Sequence, residues 1–272
     1  MNPTRVLLSA SLVVLLSGCS ILGPWPYRDD SDPRIGPESG RQLPVTSISA
    51  PLANVCHLTT TRINIKGLWF WGIVSNGSAA LIDGRYLITA AHNVADYAGG
   101  NRLTKMEVRC GATAADGVPA DVVLTRSEIR ERAAVPSYAW RLHSNDKKYE
   151  FDYAFVDLGR QLNIENQFVL DESILPDSGD AVFIAGYPGG TISNAHTLHQ
   201  GRGRATERDH NLLSYEIGTA TGNSGGPVWM IHDEKPHLVA VHVSDRAGRV
   251  LNSTFYRDWA AWRSARDNGA RR

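Results

Sequence analysis

Thr221-Gly222-Asn223-Ser224-Gly225-Gly226-Pro227 is the stretch on which the reading of this chain turns. A serine hydroxyl is a poor nucleophile unless a base takes its proton and hydrogen-bond donors hold the oxyanion that its attack creates. Glycines on both sides let the backbone take a tight, exposed turn, and they keep side chains away from an incoming peptide. In such a turn the N–H groups of Gly222 and Ser224 can converge on one oxygen. Taken alone, the heptapeptide also reads as a flexible hairpin loop, the usual fate of a Gly/Ser/Asn cluster.

Two other segments supply what Ser224 lacks. Leu87-Ile88-Thr89-Ala90-Ala91-His92 is a strand that runs into two small residues and a histidine. The alanines allow a tight turn onto a half-turn of helix, which holds the imidazole at a strand end. Phe151-Asp152-Tyr153-Ala154-Phe155-Val156-Asp157-Leu158 carries an aspartate at the mouth of an apolar strand. There it can accept the histidine Nδ1–H, fix the tautomer and stabilise the imidazolium formed during attack. Asp157 competes in the same run, but strand alternation puts it on the opposite face from Asp152. Either carboxylate also reads as a solvated strand end.

Around these segments the pattern from about residue 46 is β throughout. Short apolar or alternating runs fall at Ile63–Ser75, Ser78–Asp83, Tyr86–Thr89, Lys105–Cys110, Val118–Leu124 and Tyr153–Leu158. They continue at Ala181–Gly186, Leu212–Ile217, Val228–Ile231, Leu238–Val243 and Val250–Phe255, with Gly, Pro, Asn or Asp in most gaps. Many short strands at such spacing predict a barrel or a pair of barrels. Phe255, Trp259 and Trp262 then recur at helical spacing, which predicts an amphipathic closing helix packed on the barrel.

Ala90-Ala91-His92, Asp152-Tyr153-Ala154 and Gly222-Asn223-Ser224-Gly225-Gly226-Pro227 resemble the three signature segments of trypsin-like serine proteases, in the family's order of His, Asp, Ser. Asn223 and the turn Gly186-Tyr187-Pro188-Gly189 are most similar to the bacterial glutamyl endopeptidase branch. The resemblance implies an all-β fold of two six-stranded antiparallel β-barrels (chymotrypsin-like) with a C-terminal helix. It implies peptide-bond hydrolysis by a His92, Asp152, Ser224 triad, with the N–H groups of Gly222 and Ser224 as oxyanion hole. The substrate would be a peptide or protein, the chain a monomer, and no cofactor is called for.

The same resemblance bears on specificity. Trypsin-type pockets carry an aspartate six positions before the serine, and here that position is Gly218, so a Lys/Arg preference lacks its counter-charge. In the glutamyl branch a threonine and a histidine hold the substrate carboxylate, and the matching places are Thr219 and His242. Cleavage after glutamate, with aspartate second, is the expectation. His242 also reads as a satisfied histidine on a barrel strand. Two departures matter. His92 is followed by Asn93 rather than the cysteine of animal trypsins, so that disulfide is absent. Asn223 replaces the aspartate that pairs with a new N-terminal ammonium when animal zymogens are cut. An amide cannot make that charge pair, so Arg34-Ile35-Gly36 is not read as an activation site.

The N-terminal end carries a second message. Arg5 followed by the apolar stretch Val6 to Leu16 reads as a signal peptide, too short to span a bilayer as a helix. Leu16-Ser17-Gly18-Cys19 resembles the bacterial lipobox, which implies cleavage before Cys19 and its acylation; an ordinary secretory signal with an incidental cysteine is the alternative. Residues 1–18 are thus expected to be removed, 19–45 to form a Pro/Gly-rich tether, and 46–272 to fold. Location follows: the cell envelope, lipid-anchored in the membrane, with Ser20 leaning towards the outer membrane, facing the periplasm or the surface. In an oxidising compartment Cys56 and Cys110 are expected to pair, with two buried free thiols as the other reading.

Composition sets the remaining bounds. The formal net charge is zero, which gives no basis for nucleic acid as a partner. His196 and His199 lack a third ligand, and there is no His-Glu-x-x-His helix, so no metal is expected. The rival class is a binding module, a protease-fold lipoprotein without activity that serves as a surface scaffold. Such relatives usually lack a triad member, and this chain has all three.

Overall fold

The structure, a computed structural model, describes residues 40–66, 69–95, 102–136, 146–165, 167–189 and 196–269. Its first strand, β1 (Gln42–Pro44), lies within the stretch expected to be tether and instead pairs with a strand far along the chain.

The first sheet collects β2 (Val55–Lys66), β3 (Trp69–Ile82), β4 (Tyr86–Thr89), β5 (Arg102–Cys110), β6 (Val122–Thr125), β7 (Ala133–Ala134) and β8 (Ala154–Asp157). Its order is β6-β5-β2-β3-β4-β8-β7, antiparallel throughout, and it curls as an open half-barrel. Inside it pack Leu58, Leu81, Leu87, Met106 and Val156. Cys56 and Cys110 are register partners on β2 and β5 and are joined by a disulfide. Its 54-residue span corresponds to about 4 kcal/mol of stability in the loop-entropy account.

The second sheet holds β9 (Ala181–Gly186), β10 (His199–Arg208), β11 (Leu212–Tyr215), β12 (Pro227–His232), β13 (Lys235–Ser244) and β14 (Ala247–Val250). The cycle closes because β9 pairs with both β12 and β10, giving a six-stranded barrel to which β1 adds along β10. Val182, Ile184, Leu213 and Val239 fill it. The expected pair of barrels is therefore one closed barrel and one open one.

A third cluster draws on both sheets. It joins Ile88 and Phe155 of the first to Trp229 and Val241 of the second, under Phe255 and Trp259 of the last helix. Among the described residues, the α-helices are α1 (Ala91–Val94), α2 (Arg126–Arg132) and the longer α3 (Ser253–Gly269). Asn252 starts α3, its Oδ1 accepting the Phe255 N–H at 3.3 Å. The helix then lays Phe255 and Trp259 against Phe155, with ring centroids 5.4 and 5.2 Å apart. Truncating Trp259 to Ala would cost about 3–5 kcal/mol.

Several strand boundaries differ from the sequence reading, each for a physical reason. Ile63–Ser75 is not one strand: its first residues end β2, the rest begin β3, and Ile63 pairs back on Gly72. Alternation continues through both arms of a hairpin, so periodicity does not mark the reversal. Strand β10 went unread because its inward positions include Gly201, Gly203 and Ala205. Alternation is present there, but glycines carry no apolar signal; they are small because Ile217 packs where a Cβ would stand, 2.7 Å away at both. Val118–Leu124 shrinks to β6. Val250–Phe255 ends at Val250, since Asn252 begins a helix. Helix α2 lies outside the runs expected from periodicity; Thr125 and Glu128 form its capping box, a pattern visible in the sequence.

Candidate active site

Ala90 and Ala91 are fully buried where β4 gives way to α1, so the chain turns within a few residues and carries His92 outward. Asp152, 0% exposed, precedes β8, which pairs directly with β4. Strand pairing thus brings the two residues together. His92 Nδ1 lies 2.6 Å from Asp152 Oδ2, and the His92 backbone N–H donates to Oδ1 at 3.0 Å. The carboxylate faces Nδ1, which leaves Nε2 without a partner among the described residues. Asp152 is itself held by its neighbour, because Tyr153 donates its phenol to Asp258 of α3 at 2.7 Å.

Asp157 is elsewhere, as alternation required. Arg85 donates to both its oxygens at 2.8 Å. Burial raises its pKa, but those bonds outweigh burial and the carboxyl sits below its usual range. It serves structure at the far end of β8.

Ser224 stands in a turn that only glycine can build. Gly222 and Gly225 have φ of +101° and +87°. A Cβ on Gly222 would overlap the Tyr187 carbonyl, and one on Gly225 would overlap Thr89 Oγ1 and the Ser78 carbonyl. The N–H groups of Asn223, Gly225 and Gly226 are bonded to Ala220, His242 and Asn223 carbonyls. Those of Gly222 and Ser224 donate to nothing among the described residues.

Two residues that sequence reasoning missed tie this turn to the first sheet. Ser78, fully buried on β3, donates its N–H to the Ser224 carbonyl at 2.8 Å and its hydroxyl to the Gly222 carbonyl at 2.7 Å. Its Oγ also accepts the Tyr187 N–H at 2.9 Å. Asn93 donates Nδ2 to the Ser224 carbonyl at 2.8 Å and to Thr89 Oγ1 at 3.0 Å. The residue beside His92 thus holds the residue Ser224, at the place where animal enzymes put a disulfide. No local pattern marks Ser78, and in the sequence Asn93 stands out only as the absence of a cysteine. The Ser224 hydroxyl itself makes no hydrogen bond to His92 among the described residues.

His242 and Thr219 are less close-knit. His242 is 2% exposed on β13, its Nδ1 within hydrogen-bond distance of the Tyr215 hydroxyl. Burial, then the charge of His92, pushes its pKa down to about 3, against a hydrogen bond with the Ala247 backbone. Thr219 is half-buried and has no hydrogen bond to His242 among the described residues. Cys19 lies outside the described residues. Among them, no group of three His, Cys, Asp or Glu side chains can hold a metal ion.

Comparison with known proteins bears on this geometry. Residues 77–241, more than half of the chain, match the model of a trypsin-like peptidase domain. A Glu endopeptidase solved in complex with MPD aligns with TM-score 0.60 at 19% identity, covering 84% of this chain and 97% of that one. The protease Anisep from Arthrobacter nicotinovorans aligns with TM-score 0.57 at 14% identity, covering 79% and 97%. An inactivated protease paralogue of the scabies mite aligns with TM-score 0.50 at 15% identity, covering 75% and 92%. At these identities the likeness shows the fold alone. No curated protein matches the sequence.

Proposed function

The chain belongs to the trypsin-like peptidase family, and from that premise we propose that it is a serine endopeptidase working through Ser224, His92 and Asp152. The observation that carries the reading is the 2.6 Å contact between His92 Nδ1 and the fully buried Asp152, beside an Asn93 bonded to Ser224. In this reading Ser224 Oγ attacks the scissile carbonyl and its proton passes to His92 Nε2. The ring becomes an imidazolium, and Asp152 stabilises it without taking the proton. The carbonyl oxygen, now an oxyanion, meets the N–H groups of Gly222 and Ser224, which donate to nothing among the described residues. His92 then returns its proton to the leaving amine, and water repeats the sequence on the acyl-enzyme. Hydrogen bonds from nucleophile to base are often long until substrate closes the site, which accommodates the unbonded Ser224 hydroxyl.

Cleavage after glutamate, then aspartate, is the specificity proposed. Its support is the uncharged Gly218 at the trypsin aspartate position, with Thr219 and His242 where the glutamyl branch binds carboxylate. Cys19, in its lipobox, is proposed as the acylated first residue of a protein anchored in the cell envelope. A Cys19→Ser protein should move from the membrane fraction to the soluble one, because two or three acyl chains are what make such an anchor firm. A wild type that is wholly soluble, with its N-terminus elsewhere, would end that part.

A fluorophosphonate probe decides between peptidase and inactive binding module. Labelling of wild type but not of Ser224→Ala supports catalysis. A wild type that never labels supports the scaffold.

A further inference from the structure

The animal enzymes order their nucleophile loop by cutting the chain and burying a new ammonium against the residue before the serine. Here that residue is Asn223, 0% exposed, and its Nδ2 donates to Gln42 Oε1 at 2.9 Å. Gln42 belongs to β1, in register with Gly201 of β10. Two residues earlier, the Gly40 N–H donates to the Arg202 carbonyl at 2.9 Å, and the Gly40 carbonyl accepts the Gly218 N–H at 2.8 Å. One short segment therefore holds both ends of the run from Gly218 to Asn223, which leads into Ser224. Gly201 makes room for it: a Cβ there would lie 3.0 Å from Gln42 Cγ.

We infer that Gln42 is a positioning residue, an uncleaved clamp that orders the nucleophile loop through a neutral amide-to-amide hydrogen bond. The inference rests on the reading of Ser224 as nucleophile. It assigns to an intact strand what the animal enzymes obtain from a cut, and it removes any need for a new N-terminus. The bond spans 181 residues of sequence and leaves Gln42 Nε2 and Asn223 Oδ1 without partners among the described residues. The clamp is thus one acceptor on one donor, and a side chain that keeps the acceptor should keep the clamp.

The test uses the full chain, wild type and with Gln42→Ala or Gln42→Glu, and reads two things. Deuterium exchange over residues 218–226 reports order in the loop; fluorophosphonate labelling and peptide turnover report the site. In Gln42→Ala, exchange over 218–226 should rise and labelling and kcat fall, each roughly tenfold, the scale of one lost buried hydrogen bond. KM should change less than kcat, and exchange in β2–β5 should stay put. Gln42→Glu, which keeps an acceptor oxygen, should regain most of both. Unchanged exchange over 218–226 in Gln42→Ala overturns the inference, as does a Gln42→Glu as damaged as the alanine. Labelling that appears only after cleavage between residues 20 and 40 overturns it too. Should Gln42→Ala loosen the whole molecule, Gln42→Asn, whose amide is one methylene short, must show the local effect alone. If wild type never labels while the loop still loosens in Gln42→Ala, the clamp stands and the peptidase reading fails.

Discussion

Asp152 receives His92 twice: Oδ2 lies 2.6 Å from the ring Nδ1 and Oδ1 accepts the backbone N–H of the same residue at 3.0 Å. One buried carboxylate therefore fixes both the imidazole and the first turn of the segment that carries it. The pairing of β4 with β8 places the two, and Tyr153 bonded to Asp258 anchors that edge to α3.

If this pair serves Ser224, then Ser224→Ala should lower kcat by roughly a million and Asp152→Asn by roughly ten-thousandfold, the latter with the fold intact. Asp157→Asn should cost stability instead, because it weakens the Arg85 pair. Turnover and urea midpoints measured side by side check this. Near-normal turnover in Asp152→Asn with a dead Asp157→Asn would reverse the assignment.

Asn93 makes a prediction that a disulfide in its place would not. Among the described residues, Asn93→Ala leaves the Ser224 carbonyl with only the Ser78 N–H, so the nucleophile's backbone loses one of two supports. Labelling by fluorophosphonate should slow roughly tenfold, and stability should fall by about 1–3 kcal/mol. A labelling rate within twofold of wild type would show that Ser78 suffices.

Acid stability should carry the mark of two buried histidines. His57 is 2% exposed, and burial, then His196 and Arg109, pushes its pKa down to about 4 against the opposing pull of Asp116 and Asn76. That of His242 is about 3. Both folded values lie below the ordinary 6.5, so between them and 6.5 the unfolded chain binds more protons. Stability therefore rises with pH through that window and is lost as pH falls from about 6.5 towards 4, at up to about 2.7 kcal/mol per pH unit for the two. His57→Phe keeps a ring against Tyr187, whose centroid is 5.2 Å away, and should roughly halve the slope these two contribute. Urea midpoints across the window, unchanged in slope, would refute it.

Specificity can be read by profiling a peptide library on wild type, His242→Ala and Tyr215→Phe. A dominant glutamate preference should collapse in His242→Ala, with about 1.5–3 kcal/mol at stake. Burial keeps His242 neutral down to about pH 3 in the free site, and a substrate carboxylate beside it would raise that value. The pH dependence of the Glu-to-Gln cleavage ratio then reports whether the imidazole binds as a neutral donor, with a flat ratio, or as a cation, with a ratio that falls as pH rises. Tyr215→Phe removes the hydroxyl from Nδ1 and should weaken the preference without abolishing it. A basic or small apolar preference, unchanged in His242→Ala, would leave only the peptidase reading.

The sequence alone carried what local chemistry can carry. Gly222 and Gly225 had to be glycine because their backbone turns through positive φ against neighbouring atoms. Ala90 and Ala91 had to be small, and Asp152 and Asp157 had to point apart. Each of these is a demand made within a few residues, so it leaves a mark in a few residues. The closing helix was legible for the same reason, its three aromatics lying on one face. What holds the parts together was not. Ser78 reaches Gly222 across 144 residues, Asn93 reaches Ser224 across 131, and Gln42 reaches Asn223 across 181. Serine, asparagine and glutamine are ordinary choices for many surfaces, and nothing nearby names their partners. Strand β10 was silent in its own way, since its inward side is partly glycine and shows only when Ile217 fills the space. Only the pairing of strands distant in sequence fixes which polar atoms meet, because a hydrogen bond is specified by position in space and not by residue type.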